Sequence, residues 1–251
     1  MLRTLSIAAT TALSLTALPA AAFDISEMTP PEREAFRGEI RAYLLENPEV
    51  LMEAIGVLEN RQAAAQAHGD KSLVADNAEA LFNDGYSHVA GNPEGDITIV
   101  EFTDYRCGYC RKAFPELETL LEADGNIKLI IKEFPILGDQ SETSSRFAIA
   151  VQQIEGEEAY KKAHDALITM RGEVNDASLT DLANELGFDA APVLAAMDSD
   201  EVGAIIAENR ALAQILQISG TPTFILEDEM LRGYIPLQSM LGLVEQARAA
   251  K

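Results

Sequence analysis

The chain has 251 residues, 41 of them acidic and 19 basic, for a formal net charge of −22. Charge of that sign argues against nucleic acid and anionic lipid as partners, because both are bound by concentrated Lys and Arg. Two cysteines and three histidines exclude a disulfide-rich scaffold and a four-cysteine zinc site, while 47% hydrophobic residues suffice for a core.

Residues 1–22 read as a secretory signal peptide. Arg3 is the only charge, an apolar run covers 5–18, and Pro19 leads into Ala20-Ala21-Ala22. The run is too short for a membrane anchor. Cleavage is expected between Ala22 and Phe23, which delivers the mature chain to a compartment that permits disulfides.

Residues 23–68 are expected to form a separate helical segment. Thr29-Pro30-Pro31-Glu32 reads as a capping box with proline at the first helical position. Phe36, Ile40, Tyr43 and Leu44 follow at helical spacing, Asn47-Pro48 kinks or restarts the helix, and Leu51, Ile55 and Leu58 continue the stripe. Such a stripe needs a partner surface, either its own domain or further copies of itself. Its repeat is not a clean heptad, so coiled-coil rules give no copy number.

Residues 69–95 read as a linker, with a short helical pattern at 73–82 and turn residues at Gly85, Gly91-Asn92-Pro93 and Gly95-Asp96. A domain over 96–251 follows. Residues 97–102 and 128–132 are apolar, β-branched strands separated by a helix, which predicts a parallel pair with a right-handed crossover. Helical patterns fill an insertion at about 138–217, with Ser178 and Asp181 capping one helix and Asp189 another. Residues 223–226 and 230–234 are expected to pair as strands, and Pro236 opens a last helix.

Cys107-Gly108-Tyr109-Cys110 lies between the first strand and its helix. Backbone N–H groups at a helix start have no intrahelical partner, and the dipole there favours a thiolate. Cys107 is thus the expected nucleophile and Cys110, one turn in, the resolving thiol. Two other readings compete: half a zinc site completed by His68, His88 or His164, and an inert structural disulfide. The histidines lack ligand spacing and the disulfide loop is tiny, so redox exchange is favoured.

The segment from Val100 to Cys110, with Gly220-Thr221-Pro222-Thr223-Phe224 far downstream, resembles the DsbA family of secreted thioredoxin-fold oxidoreductases. Asn47-Pro48-Glu49-Val50-Leu51 and the Gly91-Asn92-Pro93 turn are similar to the ScsC branch. The resemblance implies an α/β thioredoxin fold with an inserted helical domain and an N-terminal helical, oligomerising extension. It also implies a periplasmic location, a cis Thr221–Pro222 bond facing the cysteines, and substrate pairing along Thr221. Glu101 aligns with a buried acid used in proton transfer, and Lys132, on the neighbouring strand, could partner it. No metal or other cofactor is implied. The Cys-Gly-Tyr-Cys quartet resembles isomerases of the DsbC type. A disulfide isomerase or reductase is therefore expected, acting on unfolded or misoxidised secreted proteins. A membrane reductase of the DsbD or ScsB type would keep it reduced, and the front helices would make a trimer or dimer. The alternatives are a dithiol oxidase recharged by a DsbB-like enzyme and a copper-sequestering thiol protein.

Overall fold

A computed structural model describes residues 25–251, so the signal segment and its cleavage site lie outside the described residues. The chain divides into two compact units, the first ending at Asn60 and the second running from Arg61 to Lys251.

In the first unit, α1 (Pro30–Glu46) begins as the capping residues predict, with the Thr29 N–H donating to the Glu32 carboxylate at 2.9 Å. The Asn47 N–H closes it on the Tyr43 carbonyl, and α2 (Glu49–Asp76) starts after Pro48, so the proline separates two helices. Phe36, Ile40, Tyr43, Leu51, Ile55 and Leu58 are all exposed.

The second unit is built on a five-stranded sheet. Along the chain come α3 (Ala78–Phe82), β1 (His88–Gly91), β2 (Ile97–Thr103), α4 (Gly108–Asp124) and β3 (Ile127–Glu133). The inserted helices follow: α5 (Asp139–Glu155), α6 (Glu157–Thr169), α7 (Asp176–Leu186), α8 (Ala190–Ala196) and α9 (Asp200–Ile215). β4 (Thr223–Leu226), β5 (Glu229–Arg232) and α10 (Leu237–Ala249) complete it. The strand order is β1-β3-β2-β4-β5, with β2 and β3 parallel and the other pairs antiparallel.

Side-chain alternation assigns each strand residue to one of two cores. Ile97, Ile99, Leu129, Ile131, Phe224 and Leu226 pack with the helical insertion and α4. Val100, Phe102, Ile130 and Ile225 pack with Leu81, Leu212 and Leu216 on the other face. The stripe Cys110, Ala113, Leu117 and Leu120 is the buried side of α4, so helical periodicity fixes which cysteine faces the core.

Three expectations are corrected. The segment 69–95, read as a linker, carries the end of α2, all of α3 and the strand β1, which pairs with β3. Its last residue, Gly91, has φ +71°, and a Cβ there would lie 2.4 Å from the Ile127 carbonyl oxygen, so this close strand approach requires glycine. The helix expected to be capped by Ser178 starts three residues earlier, capped by Asn175, which accepts from the Ser178 N–H at 3.0 Å. Finally, Lys132 does not partner Glu101. Register pairs Glu101 with Ile131 and Phe102 with Lys132. Paired residues share a face and neighbours oppose it, so Lys132 points into the other core. There its buried ammonium donates to the Ala80 carbonyl at 2.7 Å and ion-pairs with Asp84.

Candidate active site

Cys107 is the N-cap of α4, at the end of the loop that follows β2. Asp104 shapes that loop: its carboxylate accepts from the backbone N–H groups of Arg106 at 2.8 Å, Ile136 at 2.8 Å and Leu137 at 3.1 Å. These bonds tie the loop to the chain leaving β3.

The thiols of Cys107 and Cys110 are free, 7% and 1% exposed respectively. Cys107 is the outer of the two, as its cap position predicts, yet less open than an isolated helix cap would be. The reason is the loop before β4. Thr221–Pro222 is a cis peptide, and the Cys107 Sγ lies 3.2 Å from the Thr221 carbonyl oxygen.

Environment drives the two thiols apart. Donation from the Cys110 thiol, then from the Thr221 side chain and the Cys110 and Tyr109 N–H groups, outweighs burial and lowers Cys107 to about 5. The Thr221 carbonyl accepts only from the protonated thiol and pulls the other way, one acceptor against several donors. Cys110 is pushed far up, first by its bond to Cys107, then by burial and by the charge of Glu101. One sulfur is thus a thiolate at neutral pH and the other holds its proton, the division that exchange through a mixed disulfide needs.

Glu101 is buried on the same sheet face as Ile99 and Ile131, beneath the cysteines. Burial raises it to about 8, and Glu133 and Cys107 push it further in the same direction. With its value near 8 both forms lie within reach of neutral pH: the carboxylate can take a proton from the Cys110 thiol, and the neutral carboxyl can return one.

The sequence reading missed Glu133. It is fully buried, accepting from the hydroxyls of Tyr105, Tyr160 and Ser145, each at 2.6 Å. Burial raises it to about 7. His164 joins through Tyr105 at 3.0 Å and is held neutral by burial, at about 3. The available signal was alternation: Leu129, Ile131 and Glu133 lie two apart on β3. His88 and His164, weighed as zinc ligands, instead pack on the Tyr160 ring, at 4.5 and 5.9 Å between centroids. Among the described residues no group of three or more His, Cys, Asp or Glu is arranged to hold a metal.

A sheet of this order with a dithiol capping its first crossover helix and a cis-proline loop against the outer sulfur defines a thioredoxin-fold thiol–disulfide oxidoreductase. Residues 98–245, more than half of the chain, match the DSBA-like thioredoxin domain, and the chain belongs to that family. Residues 32–65 match the copper resistance protein ScsC N-terminal domain.

Solved structures agree. A thioredoxin-like oxidoreductase from Silicibacter pomeroyi is 42% identical, with TM-score 0.64 over 69% of this chain and 98% of that one. The thiol-disulfide exchange protein alpha-DsbA2 from Wolbachia pipientis is 28% identical, with TM-score 0.67 over 73% and 97%. Proteus mirabilis ScsC in a compact conformation is 27% identical, with TM-score 0.65 over 86% and 98%. The chain spans about a quarter of the length of the curated relatives it matches, such as the Na(+)/H(+) antiporter NhaA 1 of Salinispora arenicola, 31% identical over 163 residues. Among the described residues no helix is long and apolar enough to cross a membrane.

Proposed function

We propose that this protein is a periplasmic disulfide isomerase or reductase acting on misoxidised secreted proteins. Cys107 is the attacking sulfur, Cys110 the resolving thiol, and Glu101 the group that exchanges a proton with Cys110. The Thr221–Pro222 loop receives an extended substrate segment by strand addition. Lys132, on the far face of the sheet, has a structural part only. The two units divide the work: the front helices up to Asn60 bring copies together as a trimer or dimer, and the unit from Arg61 to Lys251, which includes the segment 69–95, carries the chemistry. A membrane reductase of the DsbD or ScsB type keeps the pair reduced.

The observation that carries the exchange chemistry is the split between the two sulfurs, one held as thiolate and one as thiol. The uncovered stripe on α1 and α2 supports assembly. The test is recovery of activity by a substrate enzyme refolded from a scrambled-disulfide state. Wild type is expected to restore it, and Cys107→Ala to match the uncatalysed control. Equal recovery by both would end this reading.

A second reading has its own support. A thiolate held at about 5 stabilises the reduced pair and so raises its oxidising power. That favours a dithiol oxidase recharged by a DsbB-like partner. The redox state of the pair in periplasmic extracts separates the two: mostly reduced for an isomerase, mostly oxidised for an oxidase.

A further inference from the structure

Acidic residues outnumber basic ones more than two to one in this chain, so a group of arginines gathered at one place without an ion pair stands out. From α4 onward and in the loop before it, Arg146, Arg210, Arg232 and Arg248 form ion pairs, whereas Arg106, Arg111 and Arg171 form none among the described residues; Arg33, Arg37, Arg41 and Arg61, on α1 and α2, are unpaired as well. Arg106, Arg111 and Arg171 are gathered beside Cys107. Arg106 immediately precedes it and reaches out to donate to the Gly172 carbonyl at 3.0 Å, next to Arg171. Arg111 stands on the first turn of α4, its N–H on the Cys107 carbonyl at 3.1 Å. The Arg111 Nε donates to the Tyr105 carbonyl at 2.8 Å, and its buried Nη2 has no partner. Burial, then repulsion from Arg106 and Arg171, lowers Arg111.

One acid near this group, Asp104, offsets it only in part: its charge raises Arg111 against the cost of burial and the repulsion from Arg106 and Arg171, which together prevail. The Asp104 carboxylate is occupied by three backbone N–H groups. Glu173, next to Gly172, forms no ion pair among the described residues. Three like charges with one partial counter-charge still repel, and a surface of net one sign beside a low-dielectric opening focuses the field there. Guanidinium groups with free N–H donors match carboxylates in geometry as well as charge.

We infer that Arg106 and Arg171, backed by the charge of the partly buried Arg111, form a cationic rim that selects protein substrates with acidic side chains flanking the reacting disulfide. The overall charge of the chain repels acidic segments at a distance, but that repulsion is screened beyond about 10 Å at ordinary salt. At contact the rim governs. The inference rests on Cys107 as the attacking sulfur. Its thiolate forms a bond to one peptide sulfur as the peptide S–S bond breaks, and the electron pair leaves on the second peptide sulfur, which takes a proton from water. Cys110 then gives up its proton to the carboxylate form of Glu101 and attacks the Cys107 sulfur, freeing the first peptide sulfur as a thiolate. The peptide disulfide is reduced by two electrons and the protein dithiol is oxidised to its disulfide.

The test uses the full reduced protein and three peptides, each with one intramolecular disulfide flanked by Glu, Gln or Lys. The second-order rate is expected to fall in the order Glu, Gln, Lys, with each lost contact worth about threefold, the scale of an exposed ion pair. Arg171→Gln, which removes a side chain with no hydrogen bond or ion pair among the described residues, should reduce the Glu preference, and Arg106→Gln with Arg171→Gln should abolish it. In both, the ratio of the Glu-peptide to the Lys-peptide rate should fall further than the Gln-peptide rate does, and about 1 M salt should erase the wild-type preference. Equal rates for the three peptides, or a preference that survives in the double variant, overturns the rim. So does a uniform slowing accompanied by a raised Cys107 titration, which makes the arginines tuners of the thiol. Failure of the underlying reading looks different: Cys107→Ser would then still react with the Gln peptide.

Discussion

Two residues in contact range of one dithiol titrate in opposite senses, which gives stability a pH dependence specific to redox state. Cys107 lies at about 5 against an ordinary 9.0, so its contribution is full above 9.0 and is lost as pH falls to about 5. Glu101 lies at about 8 against 4.5, so its contribution is full below 4.5 and is lost as pH rises to about 8. In the reduced protein the two slopes oppose each other. Oxidation removes the thiolate and leaves the Glu101 slope, with that of Glu133 added in both states. The oxidised protein is therefore predicted to lose stability more steeply than the reduced one between about pH 5 and pH 8. Denaturant midpoints across that range read the difference, and parallel curves would contradict it. Glu101→Gln should flatten the oxidised curve and stabilise that form at pH 8 by on the order of 3 kcal/mol. The thiolate itself is checked by alkylation: the Cys107 rate should reach half its maximum near pH 5, with Cys110 unreactive in the folded state.

At the scale of elements, the buried pair Lys132–Asp84 ties the α3–β1 connection to the sheet. Removing one partner strands a charge in the core, whereas removing both need not destabilise. Asp84→Ala should lower unfolding free energy by about 3 kcal/mol, and Asp84→Leu with Lys132→Met should stay within about 1 kcal/mol of wild type. Urea melts read both, and equal losses would show that the ion pair is not what fastens β1. This pair also marks where the sequence was legible. Runs rich in β-branched apolar residues point to β2 and β3, and the cap geometry gives Cys107 its position. A four-residue strand ending in glycine offers no such run, so β1 went unseen although it completes one side of the sheet. Adjacent charges at Lys132 and Glu133 looked alike in the sequence, and only the register decides that one enters each core. The Glu133 hydroxyl cluster draws Tyr105, Ser145 and Tyr160 from separate elements, a tertiary meeting that no local pattern encodes. The same holds for Arg171, brought to the dithiol by the end of α6 and the loop after it.

The first unit raises the question of what its apolar side chains do in water. Phe36, Ile40, Leu51, Ile55 and Leu58 recur at helical spacing on α1 and α2, and each is between 39% and 55% exposed. Single exposed apolar residues are ordinary, but a run of them along two consecutive helices marks an interaction surface. Packing against further copies covers such a stripe without asking anything of the catalytic unit, and it sets several dithiols in one assembly. An isomerase gains from that arrangement because a substrate released from one Cys107 is held near another at high effective concentration. A single-site exchange step gains nothing. Ile40→Glu with Ile55→Glu, which puts charge on the stripe and leaves every residue of the second unit intact, should therefore divide the two activities. Light scattering should report a fall from the oligomer to the mass of one chain. Refolding of scrambled substrate should drop about tenfold or more, the low end of what multivalency confers, while stoichiometric reduction of a small disulfide peptide keeps its wild-type rate. A wild-type protein that is already monomeric, or a double variant that still isomerises at full rate, would detach the front helices from the exchange chemistry and favour the oxidase.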